Sequence, residues 1–353
     1  MMTPKYTRGS VNRIGKLLVA DDLTLEQRND VLDQLNDWRS LHLYPLNTFQ
    51  ATLRKYVKEI DPKQGIVAQR LKRTPTIIDK LKNRHQVMKL GEMQDIGGLR
   101  AIVSSIAKVR ELEKKYDRSK AQHVLRRKKD YIAEPQESGY RGVHLVYSNV
   151  NPRNHDYDDL LIEIQLRTHL QHIWATTVET VGTFYQESFK SSQGSQMWLD
   201  FFKLVSAVFA REEGQKPHEA YHDLTYKELL EELKKYIDRN SVFVSLNMIH
   251  AAESFYTTPP PKLAKYFKNT KHPDSAGYLV ITLEPNTRSV MVVPISRDEN
   301  LAKAAYRTFE NYSTHTVLVS VDSIKKIENA YPNFYLNISD FSKELNRLYN
   351  AAK

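Results

Sequence analysis

At 353 residues the chain is too long for one small core and suits about two or three units of ordinary domain size. Hydrophobic residues make up 41% and charged residues 27%, and no apolar run approaches the ~18 residues that span a bilayer, so the composition is that of a soluble globular protein with no membrane partner. Cysteine is absent, which excludes disulfides, thiolate zinc sites and thiol nucleophiles, and a formal charge of +10 favours an anionic partner, a phosphate-bearing small molecule or RNA.

The first residues, Met1 to Val19, carry Lys5, Arg8, Arg13 and Lys16 but no sustained apolar stretch, so a cytoplasmic protein is expected. Leu25, Val31, Leu32 and Leu35 set an amphipathic helix over Leu23–Trp38, with Asp22 as its cap, and a second helix follows Pro45 over Leu46–Ile60. Thr74 and Pro75 form a helix start for Thr76–Arg84. Leu99–Val103, Val143–Tyr147 and Leu160–Leu166 are expected strands, and Leu170–Phe184 returns to helical spacing. This alternation indicates an α/β core, a sheet covered by helices.

Polar Ser188–Ser195 is a local break, and the charged stretch Arg211–His222, with Gly214 and Pro217, is the expected linker. Beyond it come a helix over Tyr226–Ile237, a strand over Val242–Leu246, a stiff loop at Pro259–Pro261, and a hairpin of Tyr278–Leu283 and Val290–Ile295 about a turn holding Pro285 and Asn286. The expected division is therefore an N-terminal helical segment (1–62), a catalytic domain (63–211) and a C-terminal α+β domain (212–353).

Four segments carry the chemistry. Arg70, Lys72 and Lys80 flank a helix N-terminus whose free N–H groups also attract anions, and Thr76 shares a helix face with Lys80. That is a cradle for phosphates or a basic surface helix. Asp95 stands ahead of a buried strand that Arg100 begins, either as a Mg²⁺ ligand beside phosphate oxygens or as a turn aspartate. Around Tyr140, a loop with Gly139 and Gly142 offers an exposed aromatic face between Arg141 and His144, suited to stacking on a nucleobase while cations hold its phosphates. Glu163, Gln165 and Arg167 alternate with apolar residues and share one face of a strand, where buried polar groups need partners. A half-exposed antiparallel strand gives the same alternation.

In this order and spacing, Arg70-Leu-Lys72-Arg-Thr-Pro-Thr76, Asp95-Ile-Gly-Gly-Leu-Arg100, Lys129-Asp-Tyr-Ile132…Gly139-Tyr140-Arg-Gly-Val-His144 and Glu163-Ile-Gln165-Leu-Arg167-Thr168 resemble the synthetase domain of the RelA/SpoT alarmone synthetases. The resemblance covers Arg70 to Ala175. It implies a nucleotidyltransferase-like mixed β-sheet flanked by helices, and transfer of the β,γ-pyrophosphate of ATP to a ribose 3′-hydroxyl. By the same resemblance Arg70, Lys72, Thr76, Lys80 and Arg100 would hold ATP. Asp95 and Glu163 would bind Mg²⁺, with Glu163 also activating the hydroxyl. Lys129, Tyr140, His144, Gln165 and Arg167 would surround the acceptor, Tyr140 stacking on its base.

Gln136 and Ser138 stand where the family commonly has lysine and asparagine, which puts GDP or GTP as acceptor in doubt. No metal-dependent hydrolase domain is expected in 1–62, which shows no His-Asp pair. Val317–Ile324 and Ala330–Tyr335 resemble the C-terminal domain of CapRel-type fused toxin–antitoxin proteins of phage defence. That resemblance implies tRNA as the acceptor, with the C-terminal domain inhibiting the toxin until a phage capsid protein binds. Tyr331, Phe334 and Tyr335 would be the regulatory segment, with Phe334 in place of a family tyrosine.

Overall fold

The computed structural model describes residues 5–84, 88–119, 122–185, 194–256, 278–284, 289–295, 306, 316–321 and 338–352. Three helices lead: α1 (Arg8–Leu17), α2 (Leu25–Leu41) and α3 (Leu43–Ile60). Thr7 and Thr24 cap the first two through reciprocal capping boxes with Ser10 and Gln27. Thr24, rather than Asp22, therefore starts α2, because its hydroxyl reaches the Gln27 amide while the Gln27 side chain returns to the Thr24 amide. Pro45 lies inside α3 in its first turn, where the missing N–H costs nothing.

The chain then runs β1 (Ile66–Leu71), α4 (Thr74–Arg84), β2 (Gly97–Val103), α5 (Ile106–Asp117), β3 (Val124–Asp130), β4 (Val143–Ser148), β5 (Leu161–Thr168), α6 (His169–Tyr185) and α7 (Gln196–Glu212). It continues with α8 (Tyr226–Asn240), α9 (Val242–Tyr256), β6 (Tyr278–Glu284), β7 (Ser289–Ile295), β8 (Thr316–Val321) and α10 (Ser339–Ala351). Among the described residues the strands form one mixed eight-stranded sheet in the order β3-β4-β5-β2-β1-β8-β6-β7. Only β2 and β5 pair in parallel, and every other neighbouring pair is antiparallel. This is the expected mixed α/β sheet flanked by helices.

One face of that sheet is apolar. Val67, Leu99, Ala101, Leu145, Ile162, Ile164 and Leu166 meet Leu46, Phe49 and Leu53 of α3 and Val109 and Leu112 of α5 in a continuous core. Because side chains alternate along a strand, the residues between them are committed to the other face. A second cluster joins α1, α2 and α4 through Ile14, Leu35, Trp38, Ile77 and Leu81. The third joins α6 to α7, α8, α9 and α10.

Two expectations for the C-terminal part need correction. Val242–Leu246 is the start of helix α9, not a strand: Val242, Leu246 and Ile249 are buried at helical spacing, and Ser241, in the left-handed conformation, ends α8 immediately before it. Nor is Arg211–His222 a free linker. His218 is buried, the Glu213 side chain is 8% accessible, Gln215 donates its amide to the Ala210 carbonyl at 2.8 Å, and Glu219–Tyr221 forms a short 3₁₀ turn. The hairpin of β6 and β7 is present in antiparallel register, with its turn outside the described residues. Pro259–Pro261 and the candidate regulatory residues Tyr331, Phe334 and Tyr335 also lie outside them.

The C-terminal elements share both the sheet and a core with the rest. Ala68, Gln69 and Arg70 of β1 pair with Val321, Ser320 and Val319 of β8. Phe341 of α10 packs its ring against Phe201, Phe202 and Phe209 of α7 at centroid distances of 6.3, 6.2 and 6.4 Å. Phe341→Ala should therefore cost about 3–5 kcal/mol in a denaturant titration. A chain ending at Arg211 should lose cooperative unfolding and bind a hydrophobic dye; an unchanged unfolding midpoint would show that α7 needs neither α10 nor β8.

Candidate active site

Glu163, Gln165 and Arg167 project from β5 away from the apolar core, and the register fixes what stands beside them. Glu163 lies opposite Gly98 of β2 and Val146 of β4, and Gly98 lies opposite Arg70 of β1. Gln165 lies opposite Arg100 and His144, and His144 opposite Lys129 of β3. Two adjacent rows across the sheet thus gather Arg70, Arg100, Lys129, His144, Glu163 and Gln165 on one face. Gly97 and Gly98 separate the faces: a Cβ on Gly97 would come within 2.8 Å of Ile162 in the core, whereas one on Gly98 would meet only the Arg70 carbonyl oxygen, at 3.9 Å. Gly98 is the floor of a pocket lined by Ala68, Arg70, Asp95, Leu99, Arg100, Glu163 and Gln165.

Asp95 reaches this pocket because β1 and β2 are antiparallel, which sets the end of β1 beside the start of β2. The Lys72 amide donates to the Ile96 carbonyl at 2.8 Å, and Lys72 Nζ donates to Asp95 Oδ2 at 2.7 Å. Lys80, one turn into α4 beyond Thr76, donates to both Asp95 oxygens at 3.2 and 3.3 Å. Burial alone would raise the Asp95 carboxyl, but the two ammonium groups outweigh it and hold the group well below the usual carboxylate range. Burial lowers Lys72, and Asp95 opposes that. The pair is ionic, two cations on one carboxylate. Thr76 is half-buried on α4, and Arg70 and Arg100 flank the pocket on β1 and β2.

The other half of the site is a closed ring of hydrogen bonds. His144 Nδ1 lies 2.9 Å from Glu163 Oε1, and its Nε2 lies 2.5 Å from the Tyr140 hydroxyl. Arg167 donates to that hydroxyl at 2.7 and 3.1 Å and to Gln165 Oε1 at 2.7 Å, and Gln165 Nε2 donates to Glu163 Oε2 at 2.8 Å. Burial works against a charged imidazole, yet Tyr140 and Glu163 on its two nitrogens push His144 up to about 9. The raised value favours an imidazolium at neutral pH, with Nδ1 donating to the Glu163 carboxylate. Glu163 is likewise subject to burial, which raises it, but His144 prevails and keeps it ionised.

Two readings of the loop residues change. Tyr140 is not exposed: its side chain is 5% accessible, wedged between Trp174, Tyr131 and the Arg167 guanidinium, with its hydroxyl inside the ring. Arg141 does not face phosphates either. It is 2% accessible and bonded to Glu213. Lys129 is exposed on β3, on the site face beside His144. Tyr131, half-buried and edge-on to both Tyr140 and His144 at 5.8 and 5.3 Å, joins the site although only its place in the motif marked it.

Among the described residues no three His, Asp or Glu side chains cluster as a ready metal cage. Asp95 and Glu163 nevertheless line one pocket as two hard oxygen donors, with open space over Gly98 and cations at its rim. That donor set fits Mg²⁺, which takes one or two carboxylates and fills its remaining positions with water and phosphate oxygens.

Residues 69–188 match the family model described as the region found in RelA / SpoT proteins. The chain is 30% identical over 139 residues to the GTP pyrophosphokinase YjbM of Bacillus subtilis strain 168, a stretch that is 38% of this chain and 63% of that protein. It is 23% identical over 167 residues to the GTP pyrophosphokinase YwaC of the same strain, covering 44% of this chain and 79% of that protein. Among solved structures, small alarmone synthetase 1 of Bacillus subtilis bound to its product pppGpp matches with a TM-score of 0.42 and 23% identity, over 48% of this chain and 88% of that one. Small alarmone synthetase 2 of the same species matches with a TM-score of 0.44 and 20% identity, over 52% and 95%. Every candidate site residue from Arg70 to Arg167 falls inside the stretch that matches the region found in RelA / SpoT proteins.

Proposed function

We propose that the chain is a Mg²⁺-dependent pyrophosphokinase that moves the β,γ-pyrophosphate of ATP onto a ribose 3′-hydroxyl. One observation carries this reading: Asp95 and Glu163 line a single pocket whose rim is cationic. Arg70, Lys72, Lys80 and Arg100 would take the triphosphate, where fixed positive charge opposes the charge that builds on the transferred group. Asp95 and Glu163 would hold Mg²⁺, which when bound supplies Lewis-acid polarisation of phosphate oxygens. Glu163, kept ionised by His144, is a weak base for an alcohol, so its stronger contribution is to accept and orient the 3′-hydroxyl. Tyr140, His144, Gln165 and Arg167 would act together, as one hydrogen-bonded frame around the acceptor ribose. With the Tyr140 ring buried, base stacking on it would require the ring to give up its hydroxyl bonds.

The acceptor we favour is the 3′ end of tRNA, so that the reaction would block translation. Supporting this are the net charge of +10, the exposed cationic strand Arg126–Lys129 next to the site, and Gln136 and Ser138 in the loop. The relatives named as GTP pyrophosphokinases favour the second reading, GDP or GTP as acceptor and an alarmone as product. Control in cis by the C-terminal segment, released by a phage protein such as the major capsid protein, draws support from β8. It pairs along β1, the strand that carries Arg70.

The full chain, with γ-labelled ATP and Mg²⁺, should label bulk tRNA, and more strongly with capsid protein added. Glu163→Gln should lower that rate by at least about 100-fold. Label confined to GDP or GTP would establish the alarmone reading, and no label on either acceptor would remove the transferase reading altogether.

A separate expectation concerns His144. With its folded value near 9 and its unfolded value near 6.5, its contribution to stability is complete below about pH 6.5 and disappears as pH rises through about 9. In magnesium-free protein the imidazole NMR titration should have its midpoint near 9, and Glu163→Gln should bring it down; a wild-type midpoint at or below 6.5 would rule out the charged ring.

A further inference from the structure

The loop that carries Tyr140 does not stand by itself. Glu137, Gly139 and Arg141 of that loop meet one stripe of α7: Lys203, Ser206 and, just past the helix end, Glu213. Gly139 has φ +86°, and a Cβ there would come within 3.1 Å of the Lys203 backbone, so the loop approaches the helix as closely as only glycine allows. Ser206 Oγ donates to the Gly139 carbonyl at 2.5 Å, and Lys203 Nζ donates to Glu137 at 2.5 Å.

Glu213 closes the arrangement. Arg141 donates to Glu213 Oε2 at 2.5 Å, with side chains 2% and 8% accessible. Thr168 donates its hydroxyl to Glu213 Oε1, and Gln171 Nε2 donates to Oε2 at 3.1 Å. One carboxylate therefore ties together the residue after Tyr140, the residue after Arg167 and the first turn of α6. Both tyrosine and arginine are members of the ring that holds Glu163. Yet Glu213 lies outside the stretch 69–188 that matches the RelA/SpoT region.

A buried ion pair adds little net stability over apolar side chains of similar size, while removing one partner alone is costly. Its value is in fixing geometry. We propose that Arg141 and Glu213 are positioning residues for the acceptor: the pair sets the loop 131–142 against α7 and so places Tyr140 and His144 around the acceptor ribose. This rests on the transferase reading above for its kinetic consequence, but the placement of the loop does not.

Two variants of the full chain test it. Glu213→Gln removes the charge from one side, and the double variant Arg141→Met with Glu213→Gln leaves no unpaired charge and keeps an oxygen for the Thr168 hydroxyl, so its thermal midpoint should stay near that of the wild type. In both, amide hydrogen exchange across residues 134–142 should quicken while exchange in β2 and β5 stays unchanged. The acceptor KM should rise by about 10- to 100-fold, the scale of a reactant misplaced by about an ångström, with the ATP KM within about twofold of wild type. Unchanged loop exchange in the double variant overturns the proposal whether or not the chain is a transferase. An active enzyme in which both KM values rise together overturns it as well, because the pair would then be supporting the fold alone. A wild type that labels no acceptor counts against the transferase reading, and the exchange comparison still decides whether the pair places the loop.

Discussion

Placing a glutamate, a glutamine and an arginine on one face of a central strand is the constraint from which the rest of the site follows. The opposite face of β5 is fully committed, since Ile162, Ile164 and Leu166 have no exposure at all. The polar face must then satisfy its charges locally, because a buried ion without partners is far more costly than any packing gain. The ring through Tyr140, His144, Glu163, Gln165 and Arg167 is that solution. Its one carboxylate, Glu163, is held by His144 and Gln165, and Arg167 bonds the neutral oxygens of Tyr140 and Gln165. Asp95 is handled the same way by Lys72 and Lys80. The metal and phosphates proposed for this site would each exchange for a partner already in place.

Much of this was legible in the residue order. The alternation of Glu163, Gln165 and Arg167 with apolar neighbours gave the strand face directly, and the register then brought Arg100, His144 and Lys129 beside them as the motifs required. What failed to show was anything decided by a distant partner. Tyr140 sits between two glycines in a polar loop, a local pattern of exposure, and is buried by Trp174 and α7 from much further along the chain. Strand β3 carries no apolar alternation, because it is an edge strand with six exposed residues out of seven, so it reads only as a basic run. Val242-Phe-Val reads as a strand on β-branched content, and the tertiary contacts of Val242, Leu246 and Ile249 make it a helix.

The same distinction bears on how the C-terminal part relates to the site. Composition marks a boundary near residue 212, where charge, glycine and proline accumulate. Physically that stretch is a junction: Glu213 accepts from Arg141, Thr168 and Gln171, Arg347 of α10 bonds Glu212 at 2.7 Å, and Tyr226 of α8 bonds it at 2.8 Å. Helix α7 consequently has two sides with different duties. One receives the Phe341 ring of α10, and the other receives the loop that carries Tyr140.

A helix held on one side and holding a loop on the other passes displacement between them, because close-packed interiors do not absorb shifts smoothly. β8 offers a second such path, since it is hydrogen-bonded to the strand that bears Arg70. The C-terminal elements thus reach the two halves of the site by separate routes, through α7 on the side of Tyr140 and through β1 on the side of Arg70. A ligand that bound those elements in only one of two arrangements would bias the site by its difference in affinity between them. Any control exercised from the C-terminal part needs no occlusion of the pocket: a shift in the seat of α7 or in the pairing of β1 would be enough to move the residues that the chemistry depends on.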